Sequence, residues 1–181
     1  LLNLKEAAMK KALLCLMLII CAMAPTTWAA DPLIIAAKSY VLLDDTTGQI
    51  IASKAPDARM EPASLTKLMT AYIVFKAIKQ GGLSSSTKLP VSAAALAIGG
   101  STMHLDPQNP AMVDELVHGL VILSANDAAL VLADAIAGTE AEFVKQMNNE
   151  AKRLGLKNTL FANASGKPAP QHYSSAYDMA L

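Results

Sequence analysis

The chain has 181 residues, with 15 lysines and arginines balanced by 15 aspartates and glutamates, so its formal net charge at pH 7 is zero. That length suits one domain, and the missing basic excess argues against nucleic acid as a partner. Apolar residues make up 53% of the chain, a figure raised by the N-terminal segment.

Met9-Lys10-Lys11 precedes an apolar run from Ala12 to Ala24, followed by Pro25-Thr26-Thr27-Trp28-Ala29-Ala30. A basic start, a short apolar stretch and small residues near a cleavage point read as a secretory signal peptide over 9–30, with 1–8 as an upstream extension. The run is shorter than the roughly 20 residues of a membrane-spanning helix. Cleavage after Ala29 and cleavage after Ala30 both stay open. The expectation is export, to the periplasm or the outer face of the cytoplasmic membrane. Both cysteines, Cys15 and Cys21, fall in this segment, so the mature part from Asp31 would have no disulfide framework.

Ser39–Leu43 and Gln49–Ser53 are β-prone runs on either side of Asp44-Asp45-Thr46-Thr47-Gly48 and predict a hairpin. From Ser64 the apolar residues Leu65, Leu68, Met69, Tyr72, Ile73 and Phe75 recur at helical spacing and are expected in the core, with Gly81-Gly82 as the stop. Leu83–Leu89 reads as a polar loop, and Ser92–Ala97 as a short helix stopped by Gly99-Gly100. Val113–Leu123 and Asp127–Ala137 read as buried helices joined by Ser124-Ala125-Asn126. Thr139 and Glu142 form a capping-box pattern for a helix to Leu154, with Gly155 as its terminator. Asn158–Ser165 reads as loop or short strand, and Ser174 as the cap of a last helix. The outcome is an α-rich α+β chain with one hairpin, and a two-stranded sheet is marginal alone.

Ser64 and Lys67 stand three residues apart at a helix start, where i and i+3 side chains share a face about 5–6 Å apart. A serine hydroxyl becomes a nucleophile when a base takes its proton, and a lysine can be that base when neutral. Burial and the positive end of a helix both lower a lysine pKa from its usual value of about 10.4. Ser-x-x-Lys is a weak pattern by itself, and an N-cap with a surface lysine is the plainer reading. The chain repeats it at Ser85-Ser86-Thr87-Lys88, in a loop with no helix to fix the pair. Ser124-Ala125-Asn126 adds a hydroxyl and a carboxamide on a tight helix–helix junction, suited to proton relay and amide binding. Its plainer reading is a helix cap. His104, His118 and His172 lack zinc-ligand spacing, with His118 expected at the core edge and His172 bonded to a loop. No phosphate-binding loop or Gly-x-Ser-x-Gly elbow is present, and no metal or cofactor is called for.

With both motifs in view, the chain resembles the serine-type D-alanyl-D-alanine carboxypeptidases, the low-molecular-mass penicillin-binding proteins. Pro62-Ala63-Ser64-Leu65-Thr66-Lys67-Leu68-Met69-Thr70 is similar to the family's first motif and Ser124-Ala125-Asn126-Asp127-Ala128 to its second. Gly100–Met103, Glu150–Thr159 and Tyr173–Ala180 also resemble family segments. The resemblance implies a penicillin-recognising serine-transferase fold, an antiparallel sheet packed against a helical region. It implies Ser64 as nucleophile, Lys67 as general base, Ser124 as proton relay and Asn126 as holder of the substrate amide. The implied substrate is the D-Ala-D-Ala end of a peptidoglycan stem peptide, with β-lactams as covalent inhibitors. No Lys-[Ser/Thr]-Gly or His-[Ser/Thr]-Gly occurs; Ser165-Gly166-Lys167 has the order wrong, and Lys167 stands where an apolar residue would be more usual. Residues 31–181 therefore read as a catalytic domain lacking its third motif, expected to show little activity alone, with membrane association only through a missing C-terminal region. A serine β-lactamase would need a deacylation base, for which Glu140, Glu142 and Glu150 are the candidates, and a non-catalytic fragment is the other alternative.

Overall fold

The computed structural model describes residues 35–181; the signal-peptide reading of 9–30 and both cysteines lie outside them. Two strands, β1 (Tyr40–Leu43) and β2 (Ile50–Lys54), pair antiparallel from Tyr40↔Lys54 to Leu43↔Ile50, with an irregularity between Leu42 and Leu43. The turn forms because Asp44 Oδ1 accepts from the backbone N–H and the hydroxyl of Thr47, at 2.7 and 2.9 Å, while Gly48 takes φ +71°. The Thr47 N–H, ahead of its hydroxyl, holds the Asp44 carboxyl below its usual pKa. The expected hairpin is present.

A single 3₁₀ turn, Ala63–Leu65, leads into α1 (Thr66–Lys79). The 83–89 segment is more than the expected loop. Its end forms β3 (Lys88–Leu89), which pairs antiparallel with β4 (Ala111–Met112). Between them lies α2 (Ala93–Ala97), capped by Ser92 Oγ, which accepts from Ala95 N–H. Then come α3 (Val113–Ile122), α4 (Asn126–Ala137), α5 (Glu140–Leu154) and α6 (Ala176–Ala180). Thr139 caps α5 by accepting from Glu142 N–H at 3.2 Å, and Gly155 ends it in the left-handed region at φ +79°. The cap of α6 is Ser175, not Ser174. Ser174 instead exchanges backbone hydrogen bonds with Met60 and bonds through its hydroxyl to Thr159. In the 158–165 segment, strand character is confined to a bridge between Leu160 and Tyr173.

The core sits around α4. Residues Asn126 to Ala133 are all buried, because α1, α2, α3, α5 and β3 surround the helix. A helix buried all round is what a continuous apolar stretch with small residues such as Ala128, Ala129 and Ala133 allows. Phe143, Leu116, Leu120, Leu132 and Met147 fill the remaining space. Close approach matters at Gly119, where an added Cβ would fall 1.9 Å from the Met103 sulfur.

The apolar set assigned to the core in α1 divides. Met69 and Ile73 are buried, but Leu65, Leu68, Tyr72 and Phe75 are exposed. The buried face is instead Thr66, Lys67, Met69, Thr70, Ile73 and Val74, since the loop at 161–173 offers carbonyl and imidazole partners to its polar members. His118 is also exposed rather than at the core edge, where it pairs with Asp114 at 3.5 Å. Phe143→Ala should lower unfolding free energy by about 3–5 kcal/mol in urea denaturation. Ile122→Ala, at a 72% exposed position, should change it by less than about 0.5 kcal/mol.

Candidate active site

Ser64 lies in the 3₁₀ turn and Lys67 is the second residue of α1. The side chains meet: Lys67 Nζ donates to Ser64 Oγ at 3.4 Å. Ser64 is exposed and Lys67 is 5% exposed, so the hydroxyl faces the outside while the amine sits beneath it. The amine has a second partner, the carbonyl of Ser165, at 2.6 Å. Burial pushes the Lys67 pKa down from the ordinary 10.5, and the N-terminus of α1 acts in the same direction. The Ser85/Lys88 copy has both residues exposed, with Lys88 drawn into β3.

The loop that supplies the Ser165 carbonyl is itself tightly built. Asn163 Oδ1 accepts from the backbone N–H groups of Ser165, Gly166 and Lys167, at 3.2, 2.7 and 3.1 Å. Thr70 Oγ1 donates to the Ala164 carbonyl at 2.7 Å, and the Ala164 N–H donates to Glu140 at 2.9 Å. Gly166 has φ +87°, and a Cβ there would lie 1.9 Å from the Ala63 carbonyl oxygen. The loop therefore touches the backbone immediately before Ser64. Lys167 reaches the other way and donates to the Ile98 carbonyl.

The second motif is placed differently from its sequence reading. Asn126 opens α4 rather than lying before it, and Ala125 holds the cap position without a side-chain bond. Asn126 Nδ2 donates to the Gly99 carbonyl at 2.9 Å, and its backbone N–H to the Ser101 carbonyl at 2.7 Å. Gly100 can approach because it lacks a Cβ, which would stand 2.7 Å from Asn126 Nδ2. Asp127 Oδ2 accepts from the N–H groups of Met103 and Leu105, fixing the next residues of that segment. Ser124 is half-buried at φ +55°. Among the described residues the hydrogen bonds of Ser64 and Lys67 run to each other and to Ser165, not to Ser124. Ala63, next to Ser64, also has positive φ, at +46°. Such backbone costs about 1–3 kcal/mol per residue and persists where surrounding bonds enforce it.

Three contributors were outside both motifs: the Ser165 carbonyl, Asn163 and His172. His172 is loop-bonded as expected, but it also contacts α1, through Thr66 Oγ1 at 2.8 Å. Asn163 before Ser165-Gly166 carries a turn signal, since asparagine side chains accept from backbone N–H groups two residues on. A main-chain carbonyl has no sequence signature. Among the described residues the three glutamates after the second motif bond to groups other than Ser64 and Lys67. Glu140 holds Ala164 N–H, Glu142 pairs with Lys145, and Glu150 binds Lys76 and Arg153. Lys76 is nine residues beyond Lys67, about 13.5 Å along the helix axis.

Gly166→Ala should lower stability by at least about 2 kcal/mol in urea denaturation, combining left-handed backbone with a contact that neither side can relieve by rotating a side chain.

A profile of the D-alanyl-D-alanine carboxypeptidase family matches residues 26–181. The chain is 45% identical over 145 residues to the D-alanyl-D-alanine carboxypeptidase DacF of Bacillus subtilis (strain 168), covering 80% of this chain and 37% of that protein. It is 39% identical over 168 residues to DacC of Escherichia coli (strain K12), covering 87% and 42%. Among solved structures it superposes on the D-alanyl-D-alanine carboxypeptidase DacD from Francisella tularensis with a TM-score of 0.81 and 41% identity, covering 88% of this chain and 39% of that one. Penicillin-binding protein D2 from Listeria monocytogenes in its ampicillin-bound form gives 0.68 and 31%, covering 83% and 61%. The chain thus spans about two fifths of the length of these curated relatives. Its α+β architecture, helix-rich with a short N-terminal hairpin, is that of the penicillin-binding proteins. On the family match through the whole described structure, the chain belongs to the D-alanyl-D-alanine carboxypeptidase family.

Proposed function

We propose that the protein to which this chain belongs removes the terminal D-alanine from peptidoglycan stem peptides through an acyl-enzyme on Ser64. The observation that carries this reading is the buried amine of Lys67, with its pKa lowered, 3.4 Å beneath the exposed Ser64 hydroxyl. Ser64 Oγ attacks the carbonyl carbon of the penultimate D-alanine while its proton passes to neutral Lys67. The carbon–nitrogen bond then breaks, and the proton goes by way of the Ser124 hydroxyl to the departing D-alanine. Water then adds to the ester carbon as Lys67 takes one of its protons; the bond from carbon to Ser64 Oγ breaks, that proton returns to Oγ, and the shortened peptide leaves as a carboxylate. Asn126 Nδ2 is committed to Gly99, which leaves its carbonyl oxygen as the acceptor for a substrate N–H. A contact of 3.4 Å is long for proton transfer, and such contacts commonly tighten once substrate is bound.

β-Lactams would acylate the same hydroxyl. The structures of penicillin-binding protein D2 from Listeria monocytogenes in its ampicillin-bound and cefotaxime-bound forms support that reading. The basic-then-apolar pattern of 9–30 supports export, which would place the protein where peptidoglycan is trimmed.

In full-length protein, fluorescent penicillin should label Ser64, and a D-Ala-D-Ala peptide should release D-alanine. Ser64→Ala should abolish both; release that survives this change would overturn the assignment. Lys67→Arg keeps a cation that does not deprotonate, and should slow acylation by about 10²–10⁴-fold. Because the working base is the neutral amine, the acylation rate should rise with pH. It should level off below the ordinary 10.5 of a lysine. A rate that keeps rising to that pH, measured by stopped-flow labelling, would place the Lys67 amine in water.

A further inference from the structure

His172 belongs to neither motif, yet it is 4% exposed and bonds to the nucleophile segment. Both ring nitrogens are engaged. The backbone N–H of Ala162 donates to Nδ1 at 2.9 Å, and an amide N–H has no acceptor role. Nδ1 is therefore unprotonated, the proton of the neutral ring is on Nε2, and Nε2–H donates to Thr66 Oγ1 at 2.8 Å. The ring also lies against Phe161, with centroids 6.1 Å apart.

Thr66 is fully buried and is the first residue of α1. It stands between Ser64 and Lys67 in the chain, so a shift of its backbone moves both. Its hydroxyl also borders Gly166, where an added Cβ would lie 3.0 Å away. The imidazole thus links the far end of the 161–173 loop to the helix turn that carries the hydroxyl and the amine.

We infer that His172 is a positioning residue for Ser64 and Lys67: as the neutral Nε2–H tautomer it ties Thr66 to the 161–173 loop and keeps the hydroxyl–amine pair in register. This rests on the acyl-enzyme reading of Ser64. A second proton would have to go on Nδ1, facing the Ala162 N–H, and would break that bond. Burial holds the ring below the usual histidine pKa, against the carboxylate of Glu61 on the segment leading into the 3₁₀ turn. The lysines of the elements that His172 joins are bonded to other groups: Lys67 of α1 to Ser64 and Ser165, and Lys167 of the loop to Ile98. The sign follows: the stabilisation by the neutral ring is complete above the unfolded pKa of about 6.5 and is lost as pH falls through the lower folded value.

Two measurements on full-length protein test this. Nitrogen-15 NMR of labelled histidine should find His172 as a neutral Nε2–H ring at pH 7 that resists protonation below about pH 6.5. An Nδ1–H tautomer, or a ring that titrates at the ordinary value, overturns the inference. In labelling by fluorescent penicillin, His172→Leu should cut the acylation rate about 10- to 100-fold, the usual consequence of a misplaced reacting group. His172→Gln, which keeps an N–H donor toward Thr66, should restore most of it. Equal loss in both variants, or loss in neither, overturns the inference. If the leucine variant does not fold, the tautomer decides. Absence of labelling in the unaltered protein would overturn the acyl-enzyme reading instead, and the tautomer would still test the Thr66 bond.

Discussion

The burial of the Lys67 amine is the constraint around which the surrounding structure is arranged. An ammonium taken out of water without partners is strongly disfavoured, and it either finds hydrogen-bond acceptors or gives up its proton. Here the acceptors are one backbone carbonyl, that of Ser165, and the Ser64 hydroxyl. Among the described residues no carboxylate is bonded to it, so the amine is held there without a counter-charge, and its proton is loosened rather than retained. That is the opposite of a stabilising ion pair such as Lys76 with Glu150, which draws the Glu150 carboxyl below its usual pKa, with Arg153 adding to the effect.

A carbonyl can serve this purpose only if its peptide is held still. The 161–173 loop meets that need with bonds at several points. Asn163 gathers three N–H groups, Thr70 takes the Ala164 carbonyl, Glu140 takes the Ala164 N–H, and His172 takes Thr66. Gly166 removes the side chain that would keep the loop away from Ala63. The buried polar groups of α1 that face this loop are therefore each partnered. Among the described residues no buried side-chain nitrogen or oxygen is left without a hydrogen bond.

The second motif is carried by the start of α4. Because that helix is enclosed by four helices and β3, its first turn is buried like its middle. From there Asn126 and Asp127 hold the 99–105 segment by its main chain. The positive φ of Ser124 follows from the same arrangement, since the chain must turn sharply between α3 and α4 while both remain packed. Ala63 and Ser124 carry backbone strain at the turns that bear Ser64 and Ser124, and packing and hydrogen bonds around them hold it there.

The sequence by itself determined the local elements whose signals are local. Asp44 to Gly48 specify the hairpin turn, Thr139 and Gly155 specify the limits of α5, although the Glu142 side chain turns to Lys145 instead of closing a capping box, and the Ser64–Lys67 spacing places hydroxyl and amine on one helix turn. Each depends on residues within a few positions of one another. Which face of α1 is buried was decided by tertiary structure. Apolar periodicity favoured Leu65, Leu68, Tyr72 and Phe75, but the partners supplied by 161–173, almost a hundred residues on, draw Thr66, Lys67 and Thr70 inward. The β3–β4 pairing, the cap of α6 at Ser175 and the tautomer of His172 are also products of long-range contact. The Ser165 carbonyl is the clearest case: every residue has one, and only the fold decides which of them meets a buried amine.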